Sequence, residues 1–126
     1  MSFQPTNMTA VLMQDGRSEA TWTPAPDWGN PVGNVHGGYV AKLVDDVAGM
    51  ALLSIIGTGA PTVHLQVDYL HAMPLGRVYT ARGEVARTGK AIAIVDVSVY
   101  GTDELLVARG KCIFQLPSSW RDRKGV

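Results

Sequence analysis

The sequence predicts an α+β fold in which an antiparallel β-sheet wraps around one long central helix. Three observations carry this. Between about Tyr39 and Ile56, apolar residues recur at Val40, Leu43, Val44, Val47, Ala48, Ala51, Leu52 and Ile55, the three-and-four spacing of a helix. After Pro61, Val63, Leu65, Val67 and Tyr69 alternate with Thr62, His64, Gln66 and Asp68, the period of a strand with two different faces. Three more strand-like runs then follow, joined by short turn-rich connections.

Taken in order, residues 1–23 are polar to mixed, with one short strand at about Ala20 to Thr23. Pro24-Ala25-Pro26-Asp27-Trp28-Gly29-Asn30-Pro31 reads as a loop, because its prolines and glycine oppose regular structure. Gly33-Asn34-Val35-His36-Gly37-Gly38 leads into the helix, and Gly57, Gly59 and Pro61 supply its stop. Ala41, Met50 and Leu53 lie on its other faces, so the helix is apolar nearly all round and is predicted to be enclosed by other elements. Val78 to Ala86, Ala91 to Tyr100 and Leu105 to Leu116 complete a set of about four antiparallel strands. Arg87-Thr88-Gly89-Lys90 and Gly101-Thr102-Asp103-Glu104 form the hairpin connections between them. Such a sheet leaves one face uncovered and an edge strand unpaired, which predicts at least a dimer.

At 126 residues the chain reads as a single domain over residues 1–126, with residues 1–18 and 117–126 peripheral or flexible. Eleven basic and eleven acidic side chains cancel, so no long-range field draws in nucleic acid or an anionic membrane. The lone Cys112 excludes an internal disulfide and a Cys-rich zinc site. Neither a signal peptide nor an apolar run of about 20 residues is legible, and the reading is cytoplasmic. His36, His64 and His71 lack metal-ligand spacing, so neither a metal nor another cofactor is predicted. No G-x-S-x-G elbow, Walker loop or dinucleotide-binding glycine pattern occurs.

The chemistry-bearing residues cluster around the helix. Asp45 and Asp46 interrupt its apolar pattern, and a carboxylate there needs a partner or a function. They differ by about 100° around the axis, so at most one faces a given partner. A plain ion pair with an arginine accounts for such a residue equally well. Gly37 and Gly38 free the backbone at the helix start, where unpaired N–H groups could hold an oxyanion; a tight turn without a ligand is the alternative. His36 on its own reads as a structural histidine. Arg87 and Lys90 read as turn charges or as a cradle for the phosphates of a nucleotide-tailed substrate.

Asn30-Pro31-Val32-Gly33-Asn34-Val35-His36-Gly37-Gly38, followed by Leu43-Val44-Asp45 nine positions after the histidine, resembles the hotdog-fold thioesterases of the PaaI-like group. These hydrolyse aryl- and acyl-CoA thioesters. The resemblance runs from about Trp28 to Leu116 and includes Val67-Asp68-Tyr69-Leu70, Gly83 to Lys90 and Leu106 to Gly110. It implies the hotdog fold and an acyl-CoA or aryl-CoA substrate. Asp45 would be nucleophile or general base, the Gly37 N–H the oxyanion donor, and Asn30 the holder of water or carbonyl. His36 would orient the loop. The active site would form at a dimer interface, within a homotetramer built as a dimer of dimers. Gly38, His64, Arg87, Lys90, Tyr39 and Met50 would contact substrate, with Trp28 as a further liner. Two departures stand out. Gly49 occupies a place where some relatives carry a hydroxyl, and His64 lies where some carry a small hydroxyl that positions water. A hotdog hydratase is disfavoured because Gly38 is followed by Tyr39-Val40 rather than proline. A non-catalytic acyl-CoA or aromatic-ligand binding module is the remaining alternative.

Overall fold

The computed structural model describes residues 7–123, with side chains as far as residue 120. Residues 1–6 and 124–126, the outer parts of the two segments predicted to be peripheral or flexible, lie outside the described residues. The elements are β1 (Met8–Gln14), β2 (Arg17–Trp22), α1 (Gly37–Ile56), β3 (Thr62–Tyr69), β4 (Tyr79–Thr88), β5 (Ile92–Tyr100), β6 (Leu106–Gln115) and α2 (Ser118–Arg123). All strand pairs are antiparallel, in the order β1-β2-β4-β5-β6-β3.

The long helix and the four strands after it appear within about two residues of their predicted bounds. The sheet, however, has six strands: β1 was not predicted, and β2 extends the short strand read at Ala20 to Thr23 back to Arg17. Gly101 to Glu104 contains a short 3-10 turn over Thr102–Glu104, and the terminal helix α2 was also unforeseen.

One face of the sheet carries the core. Ala20, Trp22, Tyr79, Ala81, Ala93, Val95, Val97, Val99, Ala108, Cys112 and Phe114 are buried there, against Val40, Leu43, Val44, Val47, Ala48, Ala51 and Leu52 of α1. Each fully buried Val or Leu stabilises the fold by about 1.5–3 kcal/mol. Two strand glycines allow the close approach. A Cβ on Gly83 would lie 3.1 Å from the Val47 carbonyl oxygen, and one on Gly110 would lie 2.5 Å from Val44 Cγ1. In the gap at Gly83, the buried Ser18 hydroxyl donates to the Val47 carbonyl at 2.7 Å.

The sheet wraps around α1 as predicted, all six strands touching it, but within one chain the helix does not bury its whole circumference. Its far side, with Lys42, Asp45, Asp46 and Gly49, is left partly or fully exposed. Of the apolar residues on its other faces, Met50 is buried, but Ala41 and Leu53 are only half-buried.

Candidate active site

The helix start is built from a tightly bonded loop. The Asn30 side-chain oxygen accepts from the N–H groups of Val32 and Asn34, both at 3.1 Å, and Asn30 N–H donates to the Asn34 carbonyl at 2.8 Å. Two donors on one end of the carboxamide identify that end as oxygen, which leaves the NH2 group to donate outward. His36 is the N-cap of α1, and its Nδ1 accepts from Gly38 N–H at 2.9 Å. The neutral ring therefore carries its proton on Nε2. His36 N–H is taken by the Trp28 carbonyl, and no bond joins His36 to Asn30 among the described residues. With Gly38 N–H spent on the cap, Gly37 N–H is left without a protein acceptor among the described residues. Tyr69, at the end of β3, donates its hydroxyl to the Gly37 carbonyl at 2.7 Å, and a Cβ on Gly37 would lie 3.2 Å from its ring. Asn30, Gly37 and Tyr69 share a cleft of about 340 Å³ with His71 and Met73.

Asp45 lies two turns further along α1, where the Thr62 hydroxyl, at the start of β3, donates to its Oδ1 at 2.8 Å. Asp46 instead pairs with Lys42 at 2.7 Å, one helical turn back. Asp45 lines a groove of about 700 Å³ that runs across the exposed side of α1, walled by Gly49, Met50 and Leu53 of the helix, Met8 and Met13 of β1, and Phe114.

The bond from Thr62 to Asp45 was not foreseen, and a β-bulge explains why. Thr62 pairs with Phe114, but His64 pairs with the next residue, Ile113, so Val63 is the extra residue. Directly opposed residues share a face. Thr62 therefore sits with buried Phe114 on the helix side, and His64 sits with Ile113 on the outer face. Within one chain His64 therefore lies on the face away from α1 and Asp45. The hydroxyl missing at Gly49 is supplied from the strand.

The other predicted contacts divide. Met50 joins Asp45 in the groove. Tyr39 stacks on Trp28 with ring centroids 4.7 Å apart and lines a separate niche with Trp22 and Lys42. Arg87 and Lys90 are exposed at the β4–β5 turn. The paired row Thr62–Phe114–Ala93–Thr88 puts that turn three strand spacings, about 14 Å, from Thr62. Among the described residues no three metal-ligating side chains converge, and no helix is long and apolar enough to cross a membrane.

The model of the thioesterase superfamily matches residues 32–108, a span from the loop before α1 to the start of β6. The chain belongs to the thioesterase superfamily. Among curated superfamily members it is similar to acyl-coenzyme A thioesterase 13 of Homo sapiens, 35% identical over 86 residues, covering 65% of this chain and 60% of that protein. The chain thus spans less than two thirds of the length of the curated relatives it matches. A hypothetical thioesterase from Streptococcus pneumoniae TIGR4, solved with coenzyme A, superposes with a TM-score of 0.82 at 27% identity over 87% of this chain and 88% of that one. That protein has also been solved with an aspartate changed to alanine and with a threonine changed to alanine. The E. coli PaaI protein shares the fold, with a TM-score of 0.82 at 23% identity over 87% of this chain and 79% of that one. The six-stranded sheet on one long helix is the hotdog fold of this superfamily.

Proposed function

We propose that the protein hydrolyses an acyl-CoA thioester to the free acid and CoA, at a site that two copies of the chain complete together. The carrying observation is a separation. Gly37 and Asp45 are eight residues apart on one helix, about 12 Å along its axis. An oxyanion donor and a carboxylate acting on one carbonyl must both lie within about 3 Å of the reacting group or its water. One chain therefore carries the two halves of a site, too far apart to work on a single carbonyl.

β3 supports the way in which the halves meet. It is an edge strand of the sheet, and it touches both halves: Thr62 at one end holds Asp45, and Tyr69 at the other holds Gly37. Antiparallel pairing of two β3 edges about a two-fold axis sets the Tyr69 end of one copy beside the Thr62 end of the other. Gly37 N–H and the Asn30 amide of one copy then face Asp45 of its partner.

In that site the Gly37 N–H polarises the thioester carbonyl and takes up the charge of the tetrahedral intermediate. Asp45 either attacks the carbonyl carbon, expelling CoA thiolate and leaving an acyl-aspartyl anhydride for water to open, or removes a proton from the water that attacks. Thr62 fixes the carboxylate through Oδ1 and leaves Oδ2 for the reaction. The thiolate leaves without strong acid assistance, so no further acid is required. Exposed Arg87 and Lys90 serve the phosphates of CoA. The coenzyme A seen with the S. pneumoniae relative, and the aspartate and threonine altered in its variants, support this reading.

The test is thiolate release from a panel of acyl- and aryl-CoA esters by wild type and Asp45→Asn. Loss of about 10³-fold or more in kcat with the fold intact is expected. Turnover by Asp45→Asn close to wild type would remove the mechanism, and binding of the esters without thiol release by either would make the chain a binding module.

A further inference from the structure

We infer that Gly49 admits long acyl groups, by leaving a gap in the crest of α1 across which the chain passes; this rests on the thioesterase reading above. Gly49 follows Asp45 by one turn, so the two share a helix face about 5–6 Å apart. A glycine inside a helix costs about 1 kcal/mol relative to alanine. At Gly83 and Gly110 close contact with α1 explains the missing side chain. At Gly49 it does not, for a Cβ there would meet nothing within 4 Å among the described residues.

The surroundings point to what uses the space. Asp45 leans toward β3, through Thr62, whereas Met8 and Met13 stand on β1, at the opposite edge of the sheet. All of them line one groove, so its path from the carboxylate to the methionines goes over α1, and Gly49 lies on that path. Met13 is 47% exposed although Met13 pairs with buried Ser18 on the helix side of the sheet, so this end of the groove is apolar and left unfilled by the described residues. Met8, Met13 and Met50 are unbranched and adaptable, suited to a flexible aliphatic chain. The nearby aromatic rings are already stacked on one another: Trp28 lies between Trp22 and Tyr39, and the niche beside them holds only about 40 Å³. Crossing the helix takes about 10–12 Å, the reach of roughly eight or nine carbons joined by bonds of about 1.5 Å. The occupant is a straight acyl chain of at least that length, with its thioester at Asp45 and its tail among the methionines.

Thiolate release over straight-chain acyl-CoAs from acetyl to palmitoyl, for wild type, Gly49→Ala and Gly49→Leu, tests this. Binding of non-hydrolysable S-alkyl-CoA thioethers of the same lengths and light scattering are run alongside. The ratio of kcat/KM for decanoyl to acetyl ester should fall about 30-fold or more in Gly49→Leu and less in Gly49→Ala, with long thioethers losing affinity in parallel. An unchanged ratio would overturn the inference. So would equal loss at every length together with a change of oligomeric state, which would assign Gly49 to contact with a second copy. Failure of the thioesterase reading looks different: no thiol released from any ester, yet long thioethers still bound in a Gly49-dependent way.

Discussion

Asp45 and Asp46 are adjacent and chemically alike, yet their surroundings give them different work. Asp46 pairs with Lys42 on the helix surface, a contact worth about 1 kcal/mol or less. Asp45 accepts a hydrogen bond from a hydroxyl on a different element and faces the groove. The spacing from His36 pointed to Asp45, but composition and periodicity alone left both acids open. Thr62 could not be found from sequence, because strict alternation puts it on the same face as His64. Only the bulge at Val63 separates the two. If Thr62 orients the carboxylate, Thr62→Ala lowers kcat by about 10–100-fold, as small misplacements of a reacting group do. Thr62→Ser, which keeps the hydroxyl, restores most of it, while KM for the ester moves little in either variant. Equal defects in the two variants would contradict the assignment.

At the scale of elements, the helix and the four strands after it were legible because their apolar periods are long and clean. The first hairpin was not, although its turn carries a strong signal. Asp15-Gly16 adopts positive φ at both residues, 53° and 79°, the geometry of a two-residue hairpin turn. Beside it, Ala10-Val11-Leu12-Met13 runs apolar without alternation, and the register shift between Ala10 and Leu12 is the reason. The helix was expected to bury its whole circumference because Ala41, Met50 and Leu53 occupy its other faces, and within one chain Ala41 and Leu53 stay half-buried. The way α1 lies on the sheet yields an element-scale prediction. Gly110→Ala forces a Cβ toward Val44 Cγ1 and the Gln66 carbonyl, at 2.5 and 2.8 Å, and destabilises the fold by about 1–3 kcal/mol in urea titration. Gly49→Ala, with open space at its Cβ, should instead be neutral or stabilising by up to about 1 kcal/mol. Equal losses in both would contradict the packing described here.

On the scale of the whole molecule, burial shows in the chemistry of Cys112, which lies under α1 with no exposed surface. Burial, and secondarily the charge of Asp45, pushes its thiol from the ordinary 9.0 up to about 12. The folded state holds this proton more tightly than the unfolded state does. Its contribution to stability is therefore intact below pH 9 and is lost as pH rises toward about 12. Alkaline unfolding of Cys112→Ala should accordingly depend less steeply on pH over that window. The folded wild type should also show no titratable thiol at neutral pH, which leaves the CoA assay free of background.

The halves of the site were legible in the sequence as motifs. That they stand about 12 Å apart in one chain became evident only once both were placed on one helix. Complementation tests the resulting claim most directly. Asn30→Asp keeps the acceptor that holds the loop but removes the outward N–H donor, and Asp45→Asn removes the carboxylate; each variant alone should be nearly inactive. Unfolding and refolding the two together in equal amounts should recover about one quarter of wild-type thiolate release. Half of randomly formed dimers are then mixed, and each of these carries one intact site of two. Recovery near that level is the predicted result; a mixture as inactive as either variant alone, with mixed dimers demonstrably formed, would contradict a site shared between two copies.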